Sequence, residues 1–124
     1  MTAIAVSLIV LRCLDLERSR RFYEALGLTL RPEQHGVGPR HYSAVVGETV
    51  VELYPQGDAT TSGLRLGFLI QDLPAVLAAI AHGDGNVMRA DVNAQPPSAL
   101  VVDPDGHKIE LTQRIVDALF TSVQ

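Results

Sequence analysis

The segment Ala99-Leu-Val-Val-Asp-Pro-Asp-Gly-His-Lys-Ile-Glu-Leu-Thr112 decides the fold. Two apolar runs flank a Pro-Asp-Gly turn, which predicts a β-hairpin. The second run carries one carboxylate, Glu110, between two aliphatic side chains. Residues 44–54 have the same form and carry Glu52 at the matching position. A repeated hairpin with a repeated acid indicates two similar halves.

Each half also begins with a strand and a helix. Asp15-Leu16 and Asp72-Leu73 are typical of helix N-termini, with the aspartate as the N-cap. Gly27 and Gly83 stand where the two helices are expected to end. Gly47-Glu48 fits a two-residue type II′ turn. The predicted strands are residues 3–12, 28–31, 41–46, 49–54, 64–70, 87–92, 99–102 and 108–113.

Length and composition favour one α+β domain. The chain has 124 residues, of which 47% are hydrophobic, and this is too short for two independent domains. Neither half can bury its own sheet face, so we expect two βαβββ modules that form a cupped mixed β-sheet with helices outside. We predict modules at residues 3–54 and 64–113, joined by a linker at 55–63. The tail at 114–124 either forms a short helix or frays.

Charge and cysteine content exclude several classes of protein. A net charge of −4 and a pI near 5.4 give no basic surface for nucleic acid or an anionic membrane. The single cysteine, Cys13, excludes an intrachain disulfide and a cysteine-rich zinc site, and it fits a reducing cytoplasm. The apolar segment 3–11 has no basic leader and is shorter than a membrane span. We therefore predict a cytoplasmic protein.

The hairpin at residues 41–54 predicts a polar sheet face. Pairing through the Gly47-Glu48 turn places Ser43 opposite Glu52 and His41 opposite Tyr54. Side chains alternate along a strand, so these four lie on one face and the aliphatic residues between them on the other. We expect the polar face to be the concave one.

Three motifs carry a resemblance to a known family. They are the segments from Asp15 to Gly27, from Val50 to Leu53 and from Asp103 to Leu111. With the duplicated modules, they resemble the vicinal oxygen chelate superfamily, which includes glyoxalase I, extradiol dioxygenases and bleomycin-binding proteins. The resemblance implies a small-molecule pocket between the modules and a homodimer. It does not imply one activity, because the fold hosts many chemistries.

The resemblance also implies where a metal ion would lie. In metal-dependent members, side chains from the first and last strands of each half hold the cation. The last-strand positions match Glu52 and Glu110, whereas the first-strand positions, usually histidine, fall on Leu8 and on Arg65 or its neighbour Leu66. Both histidines are missing, and an arginine would repel a cation. We therefore expect no cofactor, with a divalent ion (Mg, Mn, Ni or Fe) as the alternative.

Each candidate residue has a functional and a structural interpretation. Glu52 and Glu110 either face the pocket or form ion pairs at a sheet edge. His41 either serves with Glu52 in acid and base roles or forms a hydrogen bond with the backbone. His35 either covers the pocket or faces solvent. We expect His107 to be exposed beside its turn and Cys13 to be a small apolar filler. The candidate catalytic residues are Glu52, Glu110 and His41, and the candidate ligand-binding residues are Arg65, Tyr54, Ser43 and His35.

Three functions follow from these patterns. The first is a protein that binds a small molecule between the modules without the full metal site of the family. The second is an enzyme, a lyase, isomerase or dioxygenase, that uses a metal on Glu52 and Glu110 or a carboxylate base. The third is an interaction module whose two acids form internal ion pairs.

Overall fold

Strands and helices follow the same order in both halves of the chain. The structure, a computed structural model, describes residues 2–57 and 63–115. In chain order, the elements are β1 (Leu8–Cys13), α1 (Leu16–Ala25), β2 (Arg31–Glu33), β3 (His41–Val46), β4 (Thr49–Pro55), β5 (Arg65–Ile70), α2 (Leu73–Ala81), β6 (Asn86–Asp91), β7 (Ser98–Val102) and β8 (Lys108–Gln113).

The strands form two four-stranded sheets with the same topology. Sheet 1 has the order β1-β4-β3-β2 and sheet 2 the order β5-β8-β7-β6. The first strand of each sheet runs parallel to the last, and the other pairs are antiparallel. Two βαβββ modules with one helix each confirm the predicted α+β fold. Neither helix in the described part of the chain is long and apolar enough to cross a membrane.

The register of sheet 1 agrees with the turn prediction. Ser43 lies opposite Glu52, and Val46 lies opposite Thr49. Gly47 has a φ of +60°, as the first central residue of a type II′ turn requires. Because this turn fixes the register of the hairpin, it also fixes which side chains share a face with Glu52.

Both helices begin at their predicted caps. The Asp15 side chain accepts a hydrogen bond from the Arg18 N–H at 3.1 Å, and the Asp72 side chain accepts one from Ala75 at the same distance. Gly27 follows α1 with a φ of +108°, a conformation that favours glycine. The two caps set equivalent entry points for the helices of the two modules.

A single apolar core joins the modules. The alternate strand residues that do not share a face with the two acids pack against the helices, and residues from both sheets enter the same cluster. The faces with Glu52 and Glu110 therefore point away from this core. Its buried members are Leu11, Cys13, Phe22, Tyr23, Leu26, Leu30, Ala44, Leu53, Ile70, Leu73, Val76, Ile80, Ala99, Val101, Ile109 and Leu111.

Two strand predictions were wrong at their boundaries. The first strand begins at Leu8 rather than at residue 3, because β4, its partner, begins at Thr49 and leaves residues 3–7 without a ladder. The strand expected at 28–31 is displaced to β2, because Leu28 donates to the Tyr23 carbonyl at 3.2 Å and closes the end of α1. The possible helix in the tail lies outside the described residues from position 116 onward.

Candidate functional site

The two acids lie on equivalent faces of the two sheets. In the parallel pairs, Val10 lies beside Glu52 and Gly67 beside Glu110, so the acids have the same register. We call the faces that carry Glu52 and Glu110 the acid faces of sheet 1 and sheet 2. The first includes Leu8, Val10, Arg12, Glu33, His41, Ser43, Val45, Val50, Glu52 and Tyr54, and the second includes Arg65, Gly67, Leu69, Leu100, Lys108, Glu110 and Thr112.

On sheet 1, an imidazole is held beside the acid. The His41 side chain is buried, and its ring stacks on Tyr54 with centroids 4.1 Å apart and planes 9° from parallel. The Arg12 guanidinium lies 5.1 Å from the centroid of the Tyr54 ring. Nε2 of His41 is 3.6 Å from Oε2 of Glu52. Stacking and burial therefore fix the imidazole against the carboxylate.

A second carboxylate, which the sequence analysis missed, approaches the same imidazole. Glu33 ends β2 opposite His41, and its Oε1 lies 3.3 Å from Nε2 of His41. The exposed His35 side chain is near both, with Nε2 3.9 Å from the same oxygen and its ring centroid 5.2 Å from that of His41. In the sequence, the only sign of this cluster is the spacing of Glu33, His35 and His41. The first two lie between the predicted strands at 28–31 and 41–46, so no strand pairing is expected there.

On sheet 2, the acid has a cation as its partner. Nε of Arg65 donates to Oε2 of Glu110 at 2.9 Å, and both side chains are about half exposed. This hydrogen bond lowers the pKa of the Glu110 carboxyl and raises the pKa of Arg65. Arg65 shares the acid face with Glu110, whereas Leu66 packs against the core. Of the two positions left open by the sequence, Arg65 is the one beside the acid.

The side chains at the metal positions of the family do not fit a cation. Leu8 offers no donor atom, and Arg65 brings a positive charge to Glu110 at hydrogen-bond distance. A divalent ion would have to displace the guanidinium and bind without either imidazole.

His107 lies in a buried polar cluster, so its predicted exposure was wrong. Its Nδ1 is 2.7 Å from Oδ2 of Asp103, and the Tyr23 hydroxyl donates to that oxygen at 2.6 Å. Oδ1 of Asp103 accepts the backbone N–H groups of Asp105 and His107. Burial raises the pKa of Tyr23 well above its usual value. The Asp103 carboxylate thus joins α1 to the hairpin of the other module.

Cys13 is a buried member of the core, as expected. The residue is 1% exposed, and burial raises the pKa of its thiol to about 11. A thiol is nucleophilic only as the thiolate, so this cysteine is inert near neutral pH.

The structure brings the predicted site residues together in two groups. His41, Ser43, Glu52 and Tyr54 lie together on sheet 1, with His35 beside them. Arg65 and Glu110 form a pair on sheet 2. A groove of about 620 Å³ opens beside His41 and the start of α1, but Glu52 is not in its lining. A common pocket for Glu52 and Glu110 stays a prediction.

Comparisons with known proteins agree with this architecture. TnmS3, an antibiotic-binding protein from Streptomyces sp. CB03234, is 26% identical over 93% of this chain and 99% of its own, with a TM-score of 0.69. A glyoxalase/bleomycin resistance protein from the same source is 25% identical over 88% of this chain and 100% of its own, with a TM-score of 0.66. Oxidase ChaP-H2 shares the fold at 19% identity, with a TM-score of 0.71 over 92% of this chain and 96% of its own.

A search of curated proteins gives no match. The profile of the Glyoxalase/Bleomycin resistance protein/Dioxygenase superfamily, in contrast, matches residues 5–111, which is most of the chain. The motifs, the paired βαβββ modules and this match agree, and the chain belongs to the glyoxalase/bleomycin resistance protein/dioxygenase superfamily.

Proposed function

We propose that the chain binds a small organic molecule over the acid faces, in a pocket that a second copy of the chain completes. The observation that carries this proposal is the composition of the acid face of sheet 1. It combines a half-buried acid, Glu52, with the stacked rings of His41 and Tyr54. Ligand pockets commonly pair apolar walls with a few placed polar groups.

Exposed aliphatic side chains on both acid faces support the proposal that a partner covers these faces. Leu8 is 52% exposed and Val45 75% exposed on sheet 1, and Leu69 is 65% exposed on sheet 2. Covering such side chains removes apolar surface from water and favours association. The shared core occupies the opposite faces, so a second copy is a natural cover and would give the homodimer expected from the family resemblance.

The ligand chemistry follows from the groups on the face. Glu52 and Glu33 are acceptors and favour a ligand with hydrogen-bond donors or a positive charge. The rings of His41 and Tyr54, together with the exposed aliphatic residues, favour an aromatic or otherwise apolar body. The likeness to an antibiotic-binding protein at 26% identity supports a small-molecule ligand.

Calorimetry against a panel of aromatic natural products and amines tests the proposal. We expect saturable binding that Glu52→Gln weakens at least about tenfold, because the variant removes a partly buried charge-assisted acceptor. Glu48→Gln, on the exposed β3–β4 turn, is the matched control and should bind as the wild type does. Light scattering should give a dimer. Equal affinity in the wild type and Glu52→Gln would contradict the proposed site.

An enzyme is the second candidate, and one distance favours it. Nε2 of His41 lies 3.6 Å from Oε2 of Glu52, so the pair could transfer a proton to or from a bound substrate. Mass spectrometry of each ligand after incubation with the protein separates the two functions. A changed ligand identifies the enzyme, and an unchanged ligand identifies the binding protein.

A further inference from the structure

Three side chains with metal-binding atoms meet where β2 ends and β3 begins. Glu33, His35 and His41 each place one ligand atom within 4.8 Å of the other two. The Oε1 atom of Glu33 is 3.3 Å from Nε2 of His41 and 3.9 Å from Nε2 of His35. Two imidazoles and one carboxylate form a donor set that suits zinc and neighbouring divalent ions.

The backbone positions these three side chains. The β2–β3 ladder pairs Glu33 with His41, so both leave the same face of the sheet. The chain then turns at Gly36, whose φ is +59°, and the Gly38 N–H donates to the carbonyl of His35 at 3.0 Å. This closed turn holds His35 beside the strand ends. The three ligand positions are therefore set by a short ladder and a tight turn.

The orientation of His41 presents Nε2 to two carboxylates. Nδ1 lies 3.2 Å from the carbonyl oxygen of Pro39, which can only accept, so Nδ1 carries the hydrogen. In the neutral ring, Nε2 then presents a lone pair to two carboxylate oxygens, at 3.3 Å on Glu33 and 3.6 Å on Glu52. Three acceptors facing one another repel unless a proton or a cation lies between them. The ring is buried and cannot turn away to solvent.

We propose that Glu33, His35 and His41 bind a divalent ion of the zinc type. In a tetrahedral site with bonds of about 2.0–2.1 Å, neighbouring ligand atoms are about 3.3 Å apart. The pair of Glu33 and His41 already has this separation, and Nε2 of the exposed His35 must approach Oε1 of Glu33 by about half an ångström. The carbonyl of Pro39 orients the ring of His41, as second-shell acceptors do in known zinc sites.

Glu52 contributes charge to this site. Its carboxylate lies against the same nitrogen of His41, so two negative charges, from Glu33 and Glu52, balance a dication. The site differs from the metal positions of the family, which fall on Leu8, Arg65, Glu52 and Glu110. It shares Glu33 and His41 with the proposed ligand surface, but its test uses the metal alone, so the two proposals can fail separately.

Calorimetric titration of zinc into untagged, chelator-stripped protein tests the site. We expect one zinc ion per chain, and His35→Ala and Glu33→Gln should each weaken binding at least about tenfold. His82→Ala, which removes an exposed histidine at the end of α2, is the matched control and should bind zinc as the wild type does. Magnesium at a hundredfold excess should not compete, because it prefers oxygen ligands.

Long-range nitrogen NMR on the same samples reads the ligands directly. Zinc should shift Nε2 of His35 and His41 and leave His107 unchanged, whereas Nδ1 of His41 keeps its hydrogen. The proposal is overturned if the wild type does not bind zinc. It is also overturned if both variants bind zinc as tightly as the wild type does, since the ion then lies elsewhere. Circular dichroism establishes that each variant is folded.

Discussion

The two modules share a backbone plan and differ in what surrounds their acids. Glu52 and Glu110 have the same place in the last strand of each sheet. Glu52 is 16% exposed and lies against His41, whereas Glu110 is 48% exposed and pairs with Arg65. The same position in the two sheets therefore has different chemistry, because the neighbouring side chains differ. The acids of sheet 1 face a histidine where Glu110 has an arginine, and we expect them to be the ones available to a ligand or metal.

The two buried histidines show the same contrast. His107 has a carboxylate partner, Asp103, which also accepts from Tyr23, so this cluster is internally satisfied. His41 instead faces two carboxylates with one nitrogen. The two rings are thus equally buried and differ in the balance of donors and acceptors around them.

Removing the carboxylate of Asp103 is the strongest way to test this contrast. Asp103→Ala leaves the buried Tyr23 hydroxyl and His107 without their acceptor, so we expect a loss of about 3–5 kcal/mol in the free energy of unfolding. Urea unfolding measures this loss. Glu48→Ala, in the corresponding turn of sheet 1, is exposed and should change stability by less than about 0.5 kcal/mol. Similar losses in both variants would remove the distinction between the two turns.

Substitutions at two glycines test how the modules are joined. A Cβ on Gly85 would lie 2.5 Å from Cε2 of Phe22 and 3.1 Å from the carbonyl oxygen of Val102. Phe22 is buried on α1, so Gly85→Ala should force the modules apart and cost about 1–3 kcal/mol in thermal or urea unfolding. Gly67→Ala is the control, because its nearest neighbour is 3.9 Å away.

Gly67 takes the place of Val10 in the other sheet, so a side chain fits this strand position. We expect Gly67→Ala to be neutral or to stabilise the protein by up to about 1 kcal/mol. A loss for Gly67→Ala as large as that for Gly85→Ala would mean that both substitutions act through the strands and not through the contact with α1.

The parts of the fold that depend on local signals could be predicted from the sequence. The Gly47-Glu48 turn fixes the hairpin register, and this turn alone predicts that Ser43 lies opposite Glu52, as it does. The aspartate caps located both helices, because a cap depends on a few neighbouring residues. The repeated hairpins, together with the repeated helix caps, indicated the paired modules.

The parts that depend on distant contacts could not be predicted. His107 is buried because Tyr23, 80 residues from Asp103, covers that turn, and no local pattern encodes this contact. Glu33 could not be predicted as a strand residue because β2 has only three residues, one of which is Pro32. A strand this short shows no alternating pattern. The sequence therefore identified the two acids together with His41 and Arg65, but not Glu33 or the burial of His107.

The smallest expected effect concerns the ion pair between Arg65 and Glu110 on sheet 2. Arg65 lowers the pKa of Glu110 below its ordinary value of 4.5, and Arg89 contributes in the same direction with a smaller effect. A lowered pKa means that the pair stabilises the fold above about pH 4.5 and loses this contribution as the pH falls through the pKa of the folded state. Carbon NMR titration of the glutamate carboxyls should show the Glu110 pKa rising towards 4.5 in Arg65→Met and by less in Arg89→Met.

Salt distinguishes this pair from the buried contacts of the other predictions. Both side chains are about half exposed, so raising the ionic strength should bring the wild-type pKa of Glu110 closer to that of Arg65→Met. The melting temperature should hardly change in Arg65→Met, because solvent screens the pair. A pKa of Glu110 that is equal in the wild type and Arg65→Met would mean that the guanidinium does not neutralise this acid. The asymmetry between the modules would then have to rest on the burial of Glu52 alone.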